Sequence, residues 1–352
     1  MDTVLSIIIP YYCTSGSLFF KCMDSILLCQ SRNIEVIVIN DGSPEEYDSV
    51  VMKYSDDDRV KIIKTTNNGV SAARNTGVSL AMGKWLMFVD SDDYINTQNL
   101  EYIISYEDEF KYDVVIFNGC GDTNGILREN TMFLQEGTDY SKNKADLLSV
   151  LESAITVGIL PKGYIQCFSL GAPYCKLIQT SFLKSNNIFF NSDVRFAEDT
   201  LFSVDLFSKA KGITYIDKIL YYYVKNPNSV TSKCRLGLSN DMDVFFEKLQ
   251  NCIINYGYDK SLERAFYTRV QFEIGRCFNN EFFHPDSKGV TKKDYQNFIS
   301  KEPYCTAIRL DYLESHGIMA SIRKNLIVHG HGYIYKYWKK VKNILIGRRR
   351  KK

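Results

Sequence analysis

The stretch Trp85-Leu-Met-Phe-Val-Asp90-Ser-Asp92-Asp93 carries an apolar run straight into three carboxylates. Burying one unpaired carboxylate is expensive, and close carboxylates raise one another's pKa values. A hard divalent cation bridging to a phosphate oxygen resolves that conflict, because such ions take one or two carboxylates and complete their shell with substrate phosphates. The stretch therefore points to a metal-bound diphosphate. The plainer alternative is a solvated acidic turn after a strand.

Upstream of it, strand and helix alternate. Leu5–Pro10 is a short β-rich run, followed by a helical pattern over Ser17–Leu28. Glu35–Asn40 reads as the second strand, and Asp41-Gly-Ser43-Pro44-Glu-Glu46 as a turn with Ser43 as N-cap, Pro44 at the first helical position and acids in the first turn. Val60–Lys64 is the third strand, Val70–Met82 a helix, and Trp85–Val89 the fourth strand. Continuous apolar strands joined by helical crossovers predict a mostly parallel, twisted sheet covered by helices on both faces. Ligands of such sheets bind beyond the carboxyl ends of the strands. Pro10-Tyr-Tyr12, Asp41-Gly-Ser43, Asn67-Asn68-Gly69 and Asp90-Ser-Asp92 all fall at those ends, so four polar clusters are expected on one edge.

Downstream the pattern is mixed, with a strand at Val114–Phe117 and an insertion-like polar stretch at Gly121–Gly125. From Ser239 to Arg276 the apolar spacing is helical. At 352 residues, with 45% hydrophobic and 24% charged residues, the chain reads as soluble, globular and of more than one domain. No run approaches a membrane-spanning length, nothing at the N-terminus reads as a signal peptide, and the ten cysteines form no CxxC pair. Reduced cysteines in the cytoplasm are the expectation.

Five motifs together resemble family 2 glycosyltransferases: Ser6-Ile-Ile-Ile-Pro-Tyr-Tyr12, Val38-Ile-Asn-Asp-Gly-Ser43, Asn68-Gly-Val-Ser-Ala-Ala-Arg-Asn-Thr-Gly77, Phe88-Val-Asp-Ser-Asp-Asp93 and Phe196-Ala-Glu-Asp-Thr200. The resemblance spans about residues 4–232. It implies an α/β fold of the GT-A type and an inverting transferase that takes its sugar from a nucleotide diphosphate sugar, most simply a UDP-sugar, with Mn2+ or Mg2+. By the same resemblance Pro10 and Tyr12 flank the nucleobase, Asp41 and Asn68 read its edge, and Arg74 lies beside the nucleotide. Asp90 holds the ribose or a metal-bound water, and Asp92 is the direct metal ligand. Asp199 is the catalytic base, with Glu198 supporting the acceptor pocket. Lys225 stands in a region where the family often carries Arg and is assigned to the diphosphate. Cys13 and Ala197 replace the family's usual Asn and Gly.

Taken singly, these residues keep other readings. Asp41 also reads as a turn residue, Arg74 as a solvated helix residue, and Glu198-Asp199 as first-turn acids favoured by a helix dipole. A haloacid-dehalogenase-type phosphatase shares the strand-to-Asp-x-Asp pattern but has Thr or Val where Tyr94 stands. A catalytically inactive sugar-nucleotide-binding scaffold is the remaining alternative.

Between Tyr333 and Lys352 lie nine basic and no acidic residues, which leaves the body at about −7. Ile334, Tyr337, Trp338, Val341, Ile344 and Leu345 share one helix face, a pattern suited to an anionic membrane surface, or alternatively to docking on the acidic body. No nucleic-acid partner is expected. The expected organisation is a donor half at 1–110, an acceptor-side half at 111–232, a helical accessory region at 233–330 and a basic tail at 331–352. The acceptor would be a saccharide or a polyprenyl-diphosphate-linked saccharide, met by a cytoplasmic enzyme attached peripherally to the membrane.

Overall fold

Isoleucine and valine dominate strands β1 (Leu5–Tyr11) and β2 (Ile34–Asp41), and every residue of both is buried. Such β-branched runs suit a sheet covered on both faces. They pair in parallel with each other. β2 then pairs in parallel with β3 (Val60–Thr65), and β1 with β4 (Trp85–Phe88). The computed structural model describes residues 3–156, 170–225, 234–257, 259–310, 318–332 and 334–335. It divides into two compact units, Met1–Asn226 and Pro227–Lys352.

In the first unit the described strands form one sheet in the order β3-β2-β1-β4-β8-β6-β9-β5, with β7 paired to β6. Here β5 is Tyr94–Ile95, β6 Val114–Thr123, β7 Ile126–Glu129, β8 Lys176–Gln179 and β9 Ile213–Val224. The β3-β2-β1-β4 half is parallel. β8 enters antiparallel to both β4 and β6, and β6 pairs in parallel with β9. Helices α1 (Gly16–Leu27), α2 (Asp48–Met52), α3 (Val70–Leu80), α4 (Thr97–Ser105), α5 (Lys144–Thr156), α6 (Thr180–Ser185) and α7 (Glu198–Lys209) complete the unit. One apolar layer joins Ile7, Ile9, Val36, Val38 and Met87 of the sheet to Phe19, Met23 and Ile26 of α1.

Two local expectations are revised. Ser43 does not cap a helix: Pro44 occupies that position before a short 3-10 turn, Glu45–Tyr47, that leads into α2. The Ser43 hydroxyl instead accepts the Cys13 amide at 3.0 Å, tying the first loop to the second. The Gly121–Gly125 stretch is not an insertion but the end of β6 and its hairpin into β7. Asn124 and Gly125, at φ of 53° and 83°, supply the two-residue turn that such a hairpin requires.

The described part of the second unit is helical. The apolar spacing over 239–276 resolves into α8 (Leu238–Tyr256) and α9 (Lys260–Cys277), broken at Gly257. α10 (Lys292–Ser300), α11 (Tyr304–Leu310) and α12 (Ile318–Val328) follow. Tyr335 is buried, its ring 5.2 Å from that of Phe278. The basic residues from Lys336 onward lie outside the described residues.

Candidate active site

Helix α3 delivers the residue around which the site is built. Gly77 lets this helix lie close on the sheet, since a Cβ there would stand 2.4 Å from Ile8 Cγ2. Close packing buries Arg74, whose side chain is 4% exposed. Its Nη1 donates to Asp199 Oδ1 at 2.5 Å and its Nη2 to Asp90 Oδ1 at 2.9 Å, with Glu198 Oε1 3.8 Å from Nη1. The plane of the guanidinium spans two carboxylates far apart in sequence, which a lysine cannot do. Burial works against the Arg74 charge, but Asp199, Asp90 and Glu198 outweigh it and hold its pKa above the usual value. Among the described residues Arg74 Nε, although buried, has no hydrogen-bond partner.

Asp199 and Glu198 open α7, where acids are favoured by the helix N-terminus. Burial pushes the Asp199 carboxyl up to about 7, with Arg74 pulling the other way and Glu198 and Asp90 adding to the rise. The start of α7 is located by Asn75, the neighbour of Arg74. Its side-chain amide donates to the Phe190 carbonyl at 2.8 Å, and its oxygen accepts the Phe190 amide at 2.9 Å. Phe190 in turn stacks on Phe202 of α7 at 4.0 Å. The sequence reading did not single out Asn75, although it lies inside the Arg74-Asn-Thr-Gly77 motif.

The three carboxylates after β4 have separate fates. Asp93 is 1% exposed and accepts from Tyr221 Oη at 2.5 Å and from the Val224 amide at 2.7 Å, so it fastens β9 beneath the loop. Burial raises its pKa well above the ordinary carboxylate range. Asp90 faces Arg74. Asp92 is partly buried, its carboxyl raised by burial first and by Asp90 second, and among the described residues only its own backbone amide hydrogen-bonds to it. No group of three or more His, Cys, Asp or Glu among the described residues is arranged to hold a metal by protein donors alone. An under-satisfied Asp92 beside Asp90 fits a hard cation whose remaining ligands come from a diphosphate.

The remaining predicted residues gather at the same carboxyl edge in different ways. Pro10 is buried within β1, whereas Tyr12 is 54% exposed. Asp41 uses both oxygens on the next loop, accepting the Asn68 amide at 2.9 Å and the Gly69 amide at 2.8 Å. Asn68 itself is exposed, its side chain held by Thr66. Lys225 is exposed just past β9, and its amide donates to the Asp122 carbonyl at 2.8 Å. Among the described residues its ammonium makes no ion pair with the Arg74 cluster. Cys13 and Ala197 both adopt positive φ, 50° and 54°. Asn and Gly tolerate that conformation best, which is the physical sense of the residues the family usually has there.

Lys176 was not anticipated. It begins β8, is 1% exposed, and its ammonium donates to the Ala172 carbonyl. A charged residue at the head of the apolar run Lys176-Leu-Ile was the signal available in the sequence.

The mixed sheet carries its acidic loops at one edge, where buried Arg74 bridges Asp90 and Asp199. Residues 6–145 match the family model described as glycosyl transferase family 2. The chain is 30% identical over 318 residues to the uncharacterized glycosyltransferase EpsJ of Bacillus subtilis, spanning 88% of this chain and 87% of that protein. It is 28% identical over 222 residues to the poly(ribitol-phosphate) beta-N-acetylglucosaminyltransferase TarS of Staphylococcus aureus, covering 62% of this chain but 35% of TarS. The crystal structure of TarS 1–349 in complex with UDP-GlcNAc aligns over 97% of this chain and 91% of that one, with a TM-score of 0.60 at 21% identity. The chain belongs to the family 2 glycosyltransferases and is a sugar-transferring enzyme of the GT-A fold.

Proposed function

We propose that the enzyme transfers a hexose or N-acetylhexosamine, with inversion, from a UDP-sugar to a hydroxyl of a saccharide or lipid-linked saccharide acceptor in surface polysaccharide assembly. The observation that carries this reading is the Arg74 bridge, which sets the donor-side Asp90 and the candidate base Asp199 on opposite ends of one guanidinium. Asp199, raised to about 7, is suited to accept a proton near neutral pH. In the reaction the acceptor oxygen bonds to the anomeric carbon as its proton passes to Asp199. The bond from that carbon to the diphosphate breaks, and UDP leaves with the electron pair. Asp92, with Asp90, would hold Mn2+ or Mg2+, which when bound acts as a Lewis acid for the departing charge. Tyr12 presents an exposed ring for the base to stack on, and Asp41 shapes the loop that carries Asn68.

The UDP-sugar assignment draws support from the complex of TarS with UDP-GlcNAc, and a hexose as the sugar is in keeping with another relative, the poly(ribitol-phosphate) beta-glucosyltransferase of Bacillus spizizenii. Peripheral attachment through the basic tail to a cytoplasmic membrane face completes the proposal. Among the described residues no helix is long and apolar enough to cross a membrane. The test is thermal stabilisation by UDP, dTDP, GDP and CMP, with and without Mn2+, on the parent and on Asp92→Asn. A nucleotide at 100 times its dissociation constant stabilises by about 2.7 kcal/mol. Metal-dependent stabilisation by UDP that disappears in Asp92→Asn is the expected result. Indifference to every nucleotide would sink the donor assignment.

A further inference from the structure

The four loops at the carboxyl edge of the sheet are fastened to one another by side chains as well as by the strands beneath them. In the loop at 12–15, the Cys13 amide donates to Ser43 Oγ of the second loop at 3.0 Å, and Tyr11 Oη donates to the Thr14 carbonyl at 2.9 Å. Ser43 is 3% exposed, and its own amide donates to Asn40 Oδ1 at 3.0 Å. Asp41 then holds the third loop through the Asn68 and Gly69 amides. These contacts join the loops assigned to the nucleobase. The hydroxyls of Thr14 and Ser91 carry the chain of contacts on to the fourth loop, sharing a hydrogen bond at 2.6 Å although 77 residues apart in sequence.

Ser91 lies inside the turn that the Asp93 amide closes by donating to the Asp90 carbonyl at 3.0 Å. Asp90 is held by Arg74 of α3, and Asp93 by Tyr221 and the Val224 amide of β9. Ser91, 6% exposed, is held by Thr14. Asp92 is the remaining member of the turn, so three fixed neighbours set where its carboxylate stands. The other end of the bond is equally constrained. Cys13 has a φ of 50°, a conformation that a residue with a Cβ keeps only where its surroundings hold it. Here Ser43 holds its amide, and Ser91 holds the side chain that follows it. Tyr12, with its exposed ring, comes directly before.

We propose that Thr14 and Ser91 are positioning residues for donor binding. Their shared hydrogen bond fixes the distance between the Tyr12 loop and the Asp92 turn, so that a nucleoside diphosphate meets its base site and its diphosphate site at one spacing. This rests on the reading of those two loops as the donor site. A ligand that spans both loops gains from their being fixed in advance, whereas a ligand that occupies one of them does not.

The experiment measures UDP binding by calorimetric titration and uridine binding by ligand-observed NMR, both with saturating Mn2+. The proteins are the parent, Thr14→Val, Ser91→Ala, the double variant and Thr14→Ser. Each single variant that loses a hydroxyl should weaken UDP by about 3- to 10-fold, the worth of one neutral hydrogen bond, while uridine stays within about twofold of the parent. The double variant should bind UDP no more weakly than the single ones, because the two hydroxyls act on each other. Thr14→Ser keeps the hydroxyl and should restore the parent affinity. UDP binding within about twofold of the parent in Thr14→Val overturns the proposal. Equal losses for uridine and UDP overturn it as well, because they place Thr14 in the base site alone. If Ser91→Ala does not fold, Thr14→Val with its serine rescue decides. A parent that binds no UDP fails the donor reading itself, whereas a parent that binds it while the variants are unmoved fails only the role of Thr14 and Ser91.

Discussion

Replacing Arg74 by Met tests the centre of the site. The substitution removes two charge-assisted hydrogen bonds, at 2.5 Å to Asp199 and 2.9 Å to Asp90, and leaves Glu198 without its nearest cation. Removing one partner of a buried ion pair typically costs about 3–5 kcal/mol, because the other charge stays behind uncompensated. Here the two carboxylate side chains are 32% and 28% exposed, so water recovers part of that loss, and the lower end, about 3 kcal/mol, is expected at pH 8. The pH dependence carries a definite sign. Asp199 is already raised in the folded protein, and losing Arg74, which pulls it down, raises it further. A carboxyl with a raised folded pKa contributes stability that is complete below its unfolded value near 4 and is lost as pH climbs through the folded value. The cost of Arg74→Met should therefore shrink to about half on going from pH 8 to pH 5. Urea denaturation of parent and variant at both pH values, with m-values checked for equality, measures this directly. A cost below about 1 kcal/mol at pH 8, or one that does not change with pH, would refute the reasoning. Arg74→Lys should recover little, since one ammonium cannot bond two carboxylates on opposite ends of a fork.

Two further predictions concern the frame of the site. Ala197→Gly relieves a left-handed alanine at the start of α7 (φ 54°), and after the entropy cost of glycine it should stabilise the protein by about 0.5–1 kcal/mol in thermal denaturation. Nucleotide binding should be unaffected. Tyr221→Phe leaves buried Asp93 with the Val224 amide alone and should cost about 2 kcal/mol at neutral pH. The Tyr221 hydroxyl pulls the Asp93 carboxyl down against burial, so losing it raises Asp93 further and the cost should fall as pH is lowered, whereas a pH-independent loss would assign the effect to the Asp90 amide, which donates to the same hydroxyl at 3.2 Å.

The sequence by itself determined the parallel β3-β2-β1-β4 half of the sheet and the convergence of its loops. Apolar strand runs and turn residues are local signals, and the period of a βα repeat leaves few topologies open. The same locality explains why Ser43 was misread: a Ser-Pro-Glu string carries every mark of a helix start, and only the neighbouring Cys13 loop decided that its hydroxyl faces elsewhere. Asp90, Asp92 and Asp93 are indistinguishable as a string. Their separation into an arginine partner, a half-buried carboxylate bonded by its own amide and a strand fastener depends on α3 and β9, which arrive from opposite directions in the chain. Likewise Arg74 and Asp199, 125 residues apart, become neighbours only because Gly77 allows α3 onto β1 and Asn75 holds Phe190 beneath α7. Tertiary structure alone decided these pairings, because a charge is read by what approaches it in space, and approach at that range is set by packing rather than by spacing along the chain.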